Sequence, residues 1–176
     1  MGILFWIHGG GFSSGDSRMY SGIEHAMQEG NAVVVVQYRL GVLGFFNAFD
    51  STSNKTLGGN YGLGDIALAL EFIHRNAEMF GANSSHIVVN GESAGSAATM
   101  ALLMHEPSVN RMAGVVAQSG GTVMNFLSTE KVSQLLFSFF PEKNLSQIDS
   151  YLVLQASTQL QWRFAKNYLT AIKLNL

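Results

Sequence analysis

One stretch of this chain, Gly91-Glu92-Ser93-Ala94-Gly95, has the residue types and spacing to specify a reaction. It matches G-x-S-x-G, with an apolar, strand-like run at 86–90 before it and a run of small residues at 94–104 that suits a helix after it. A turn this tight between strand and helix strains the serine backbone, and glycines on both sides remove Cβ atoms that would clash there. The Ser93 Oγ is then held out at the carboxyl end of a sheet, where a hydroxyl can attack an acyl carbon and carry the acyl group. The amide N–H of Ala94 falls at the helix N-terminus, where backbone donors are unpaired and the dipole favours anions. His8-Gly9-Gly10-Gly11 ends a second apolar run. Three glycines let backbone N–H groups turn inward and approach a ligand closely. Two such donors with the Ala94 N–H would form a three-donor oxyanion hole.

A nucleophilic serine needs a base, and the base an orienting acid. The chain has five histidines, His8, His25, His74, His86 and His105, and none fits that role. His86 lies at the far end of the strand before Ser93, roughly 23 Å away at strand rise. His105 lies beyond the following helix, roughly 17 Å from its start. His25 and His74 fall within helical segments, and His8 belongs to the glycine loop. Among the acids, Glu92 adjoins the serine and stands beside it, not behind a histidine. Asp16, Asp50 and Asp65 sit in loops or at a helix start, where capping and solvation are the ordinary duties of aspartate.

The elements that must position these groups alternate. Residues 3–7 form a short apolar strand, 18–28 a helix stopped by Gly30, and 32–36 a β-branched strand expected to be covered on both faces by helices. A helix is predicted over 65–80 from Ile66, Leu70, Ile73, Ala77 and Phe80, with Asp65 as N-cap and Gly81 past its end. Strands follow at 86–90 and 113–118, with the helix 94–104 between them. Strand and helix alternating with short connections mean an α/β fold around a mostly parallel sheet with flanking helices. After Gly121 the pattern turns helical, at 134–140 and 145–174.

Composition narrows the function classes. Of 176 residues, 47% are apolar and 12% charged, against roughly 25% charged in ordinary soluble domains. Such a surplus of apolar residues fits a piece of a larger globule or a chain that needs a partner. A net charge of −2 without a basic run argues against nucleic acid as a partner. The absence of cysteine removes a disulfide framework, a thiolate zinc site and a cysteine nucleophile. No apolar run reaches the roughly 18 residues of a membrane span, and no signal-peptide pattern is visible. The chain opens inside an apolar strand and its last residues carry no closing signal, so the expectation is a partial domain over 1–176, with sheet core at 1–120 and a helical rim or cap at 121–176.

Five stretches resemble the type-B carboxylesterase and cholinesterase-like family of α/β-hydrolases in wording, order and spacing. They are Trp6-Ile7-His8-Gly9-Gly10-Gly11-Phe12, Tyr38-Arg39-Leu40-Gly41 with Leu43-Gly44-Phe45, Gly59-Asn60-Tyr61-Gly62-Leu63-Gly64-Asp65, Gly91-Glu92-Ser93-Ala94-Gly95 and Gln118-Ser119-Gly120. The resemblance is close over residues 3–120 and loose from 121 to about 165. It implies that Ser93 is the nucleophile, that Gly10, Gly11 and Ala94 give the oxyanion-hole amides, and that Glu92 lines the site. It makes His8 a supporting scaffold residue, and Arg39 and Asp65 supports of the neighbouring loops. Ile66 departs from the family, which usually carries glutamine there, and this affects packing more than chemistry. The implied reaction is hydrolysis of a small-molecule carboxylic ester through an acyl-serine, with neither metal nor cofactor. In the family the acid and histidine lie far downstream of the serine. The 176-residue chain alone is therefore expected to turn over little or no ester; it is also expected to be poorly soluble, because apolar strands cut out of a larger sheet become bare edges. The alternative is a noncatalytic, cholinesterase-like binding or adhesion protein or pseudoenzyme, against which the intact Ser93 and Gly10-Gly11 stand. Three sequons, at Asn54, Asn83 and Asn144, exceed chance too slightly to be informative, and Phe137, Phe139 and Phe140 read as packing before they read as an acyl pocket.

Overall fold

The structure is a computed structural model that describes residues 1–45, 47–50 and 55–120. The expected rim or cap at 121–176, with Phe137, Phe139, Phe140 and Asn144, lies outside the described residues, as does Asn54. The described residues fall into two compact units, 1–45 with 60–120, and 47–50 with 55–59.

The first unit is built on four parallel strands. They are β1 (Ile3–Ile7), β2 (Ala32–Val36), β5 (Ile87–Glu92) and β6 (Gly114–Gln118), in the order β2-β1-β5-β6. In the second unit, β3 (Asn47–Asp50) and β4 (Lys55–Gly58) pair antiparallel, Asn47 opposite Gly58 and Asp50 opposite Lys55. The helices are α1 (Ile23–Glu29), α2 (Gly41–Phe45), α3 (Tyr61–Asn76), α4 (Ala94–Leu103) and α5 (Glu106–Val109). Short 3-10 turns at Ser17–Met19 and Ala77–Phe80 complete the set among the described residues.

The register sets Ile3, Phe5 and Ile7 of β1 beside Ile87, Val89 and Gly91 of β5. Side chains alternate across a strand, so these residues share one face. That face is the core: Phe5, Ile7, Ile87 and Val89 are fully buried with Ile66 and Leu70 of α3 and Ala98 of α4. Each large side chain buried this way contributes about 1.5–3 kcal/mol relative to exposure. The other face of β1 carries Trp6 and His8, and Tyr20 packs against both rings, 5.6 Å from Trp6 and 6.2 Å from His8 between centroids.

The structure reproduces β1 and β2 as expected and shifts other boundaries. The helix expected at 18–28 splits into the first 3-10 turn and α1, closed by Gly30 in the left-handed region with its N–H on the Ala26 carbonyl. Strand β2 is an edge among the described strands, and its valines are half-buried up to Val36, so the expected cover on both faces is incomplete among the described residues. Helix α3 begins four residues earlier than Asp65, with Asn60 as N-cap. Gly62 is there because an added Cβ would run into the Arg39 carbonyl and the Phe45 ring, so this glycine marks a close contact in the first turn of the helix. Gly81 stops the helical stretch at φ 67° as expected.

Candidate active site

Strand β5 runs to Glu92, α4 starts at Ala94, and Ser93 alone makes the turn. Its φ of 55° and ψ of −119° lie where non-glycine residues rarely go. Strain of this kind persists only where the surroundings over-determine it. The Ser93 N–H donates to the Gln118 carbonyl at the end of β6, 2.8 Å away, and the Ser93 carbonyl accepts the first α4 bond from Ala97 N–H at 3.1 Å. The glycines on either side are sterically required. A Cβ on Gly91 would collide with the backbone of Gly95 and lie 2.6 Å from Thr99 Oγ1. A Cβ on Gly95 would collide with the carbonyl groups of Ile7 and His8 at the end of β1. The start of α4 thus lies directly on the strand that feeds the glycine loop. Gly120 closes the third side, where an added Cβ would stand 2.5 Å from the Ser93 carbonyl oxygen. Its own carbonyl accepts from Ser96 Oγ at 3.2 Å.

The loop after β1 meets this turn. A Cβ on Gly9 would sit 3.0 Å from Ser93 Cβ and 2.6 Å from Glu92 Oε2, so Gly9, Glu92 and Ser93 are in contact. The carbonyls of the loop are committed inward. The Gly9 oxygen lies 2.8 Å from Nδ1 of the fully buried His8, which puts the proton on that nitrogen. The Gly10 oxygen accepts from the N–H groups of Ser13 and Ser14 at 3.1 and 3.0 Å, and from their hydroxyls at 3.3 and 3.1 Å. In a trans peptide the N–H points opposite to the preceding carbonyl. Holding the Gly9 and Gly10 carbonyls in the loop therefore turns the N–H groups of Gly10 and Gly11 the other way. Among the described residues, the N–H groups of Gly10, Gly11 and Ala94 have no acceptor. The φ values of Gly10 and Gly11, 109° and 62°, are what this turn demands of glycine.

The histidines are spread as the spacing implies. His25 and His74 are in α1 and α3, and His105 caps α5, its Nδ1 2.7 Å from Ser108 Oγ. His86 immediately precedes β5 at its amino end, so it stands at the opposite end of that strand from Ser93. His8 is near but walled in: its ring stacks on Tyr38 at 4.6 Å, and Gly15 lies against its edge. A cavity of about 370 Å³ opens at the amino ends of β1 and β5, between Gly2, Asn31, His86 and Ala113. That is the wrong end for chemistry in a parallel sheet, whose ligands collect at the carboxyl ends.

Asp16 does cap, accepting from Arg18 N–H at 2.9 Å. The side-chain hydrogen bond from Arg18 holds its carboxyl down at about 2. Asp65 corrects the sequence reading: it is not the N-cap of α3 but the partner of Arg39. Arg39 Nε and Nη2 each donate to it at 2.8 Å, and Arg39 N–H adds a third bond at 3.0 Å. The Arg39 side-chain bonds hold the Asp65 carboxyl below the ordinary carboxylate range. The Arg39 guanidinium also lies 4.9 Å over the Tyr61 ring, so the segment after β2 is clamped to the first turns of α3. Sequence reasoning gave no duty to Tyr38, Gln118 or Ser96, whose contacts at the turn and loop arise only from the fold.

A serine on a strained strand–helix turn, with a glycine loop against it on a parallel sheet, defines the α/β-hydrolase class. A family model described as the carboxylesterase family matches residues 1–155, and the chain belongs to that family. It is 38% identical over 118 residues to cocaine esterase of Homo sapiens, covering 67% of this chain and 20% of that protein. It is 30% identical over 162 residues to carboxylesterase 1C of Rattus norvegicus, covering 90% of this chain and 29% of that one. Among solved structures, a thermophilic PNB esterase superposes with a TM-score of 0.77 at 30% identity, over 94% of this chain and 35% of its own. The chain thus spans between a fifth and about a third of the length of these relatives. Among the described residues no helix is long and apolar enough to cross a membrane.

Proposed function

We propose that this chain supplies the nucleophile and oxyanion hole of a carboxylic ester hydrolase. Ser93 Oγ adds to the carbonyl carbon of a small-molecule ester, and the carbonyl oxygen takes the negative charge. The N–H groups of Gly10, Gly11 and Ala94 receive that charge, the last at the dipole-positive end of α4. Collapse expels the alcohol and leaves an acyl-serine, which water then cleaves. Removing one preorganised donor in such a hole typically costs about 10²–10³ in rate. The observation that carries the reading is the contact between Gly9 and Ser93 Cβ, which puts both motifs at one place although they are far apart in sequence. Glu92 lines the site beside the serine, and His8 supports the loop from within.

The proton from Ser93 needs a base. Among the described residues, His8 is the histidine nearest the turn, and its Nδ1 is committed to the Gly9 carbonyl. In this proposal the base and its acid come from outside the described residues, so the 176-residue chain alone has little or no turnover. A serine-reactive fluorophosphonate probe tests this on the native protein that carries this sequence. The expected result is a label on Ser93, lost in Ser93→Ala. A native protein that takes no label would refute the reading and favour a binding or adhesion role without catalysis.

A further inference from the structure

We infer that Tyr38 is a positioning residue that holds the glycine loop in its donor-presenting form, acting through His8. This rests on the hydrolase reading for its catalytic consequence and on the structure alone for its geometry. Tyr38 follows β2 and is 3% exposed, so its hydroxyl needs a partner within the protein. Its hydroxyl donates to the His8 carbonyl at 2.7 Å. Its ring lies nearly parallel to the His8 imidazole, with an interplanar angle of 21° and centroids 4.6 Å apart. One side chain therefore fixes both ends of His8. The hydroxyl fixes the His8–Gly9 peptide plane, and the ring fixes the imidazole that takes the Gly9 carbonyl. Two successive peptide planes are set in this way, and the second carries the Gly10 N–H. The His8 carbonyl also lies against the Cα of Gly95, so the same contact seats the loop on the start of α4.

Burial, with the nearby Tyr20 adding to it, pushes the Tyr38 hydroxyl up to about 12. The phenol therefore remains a donor at any pH at which an ester would be assayed. Phenylalanine would keep the ring and its stacking and remove the donor, leaving the buried His8 carbonyl without it. Arg39, the next residue, is anchored separately by Asp65, so the chain direction after β2 does not depend on the hydroxyl.

The test is Tyr38→Phe in the full protein that carries this sequence, read in two independent ways. By hydrogen–deuterium exchange with mass spectrometry, the peptide covering residues 8–15 should exchange about tenfold faster, while that covering 87–92 keeps the parental rate. In steady-state ester hydrolysis, kcat should fall about tenfold to a hundredfold, the range expected of a small misplacement, with KM held. Unchanged exchange in the loop overturns the inference whatever the activity. Faster exchange with unchanged kcat overturns the positioning role and leaves a structural one. If the parent protein hydrolyses no ester, the hydrolase reading falls, and the exchange measurement alone decides whether Tyr38 holds the loop.

Discussion

Replacing Gly95 by alanine isolates the contact that seats the candidate nucleophile. Intrinsic preference favours the change, since alanine in a helix is better than glycine by about 0.8–1 kcal/mol. Geometry opposes it. The new methyl would overlap the carbonyl groups of Ile7 and His8, which are backbone atoms of a central strand and cannot rotate away. Overpacking of this sort costs about 1–3 kcal/mol, and fixed backbone puts Gly95 toward the upper end. The net expectation is a loss of about 1–2 kcal/mol. Gly64 in α3 is the internal standard. It is exposed, and an added Cβ meets nothing within 4 Å, so Gly64→Ala should stabilise by about 0.4–1 kcal/mol. Urea unfolding of the two variants and the parent measures the difference, expected to be about 1.4–3 kcal/mol at unchanged m value. The only relief for Gly95→Ala is to lift α4 from β1, and that carries the Ala94 N–H away from Gly10 and Gly11. Fluorophosphonate labelling of Ser93 should therefore slow in this variant and not in Gly64→Ala. A Gly95→Ala protein as stable as Gly64→Ala would refute the close approach of α4 to β1 on which the site rests.

Two further expectations concern strain and charge. Ser93→Gly removes the side chain from a φ of 55° that glycine adopts freely, so it should raise the urea midpoint by relieving strain of about 1–3 kcal/mol while abolishing labelling; a midpoint below that of the parent would contradict the strain. The Arg39 bonds depress the Asp65 carboxyl below its ordinary value of 3.8, so its contribution is complete above that value and drains away as pH falls through the depressed one. Asp65→Asn should accordingly flatten the loss of stability on acidification from about pH 5 downward, and identical acid profiles for variant and parent would exclude the Arg39 pair as a source of that loss.

Local pattern carried some of this a long way. Strands β1 and β2 and the turn at Ser93 were legible because short apolar runs end in glycines whose absence of a side chain is itself a signal. Asp65 was misread for a physical reason. Capping preference is a local rule, whereas the carboxylate had a guanidinium from far upstream competing for it, and only the fold brings Arg39 within reach. The helix was expected to start only at Asp65 because propensity cannot anticipate that Gly62 must touch the Arg39 carbonyl within its first turn. The pairing of Asn47–Asp50 with Lys55–Gly58 lacks the alternation that marks a strand. The hold of Tyr38 on His8 was invisible for a similar reason, since its two partners meet only when β1 and β2 lie side by side. The separation of His86 and His105 from Ser93 was legible, because strand and helix lengths alone set it.

The strand order has a consequence for how the chain comes into being. Ile3 pairs on one side with Ala32 and on the other with Ile87, and its N–H bonds the His86 carbonyl at 2.9 Å. Among the described strands, β1 is made before both of its partners and is finished only when a much later strand reaches it. At ribosomal speeds of about 5–20 residues per second, the interval is roughly 4–17 seconds. During that time Phe5 and Ile7, fully buried in the end, gain β2 alone of these two partners. A nascent chain of this design offers an apolar ribbon to chaperones, or to its neighbours on a polysome, until the strand leading to Ser93 emerges. The element that positions the candidate nucleophile is also the one that ends this exposure.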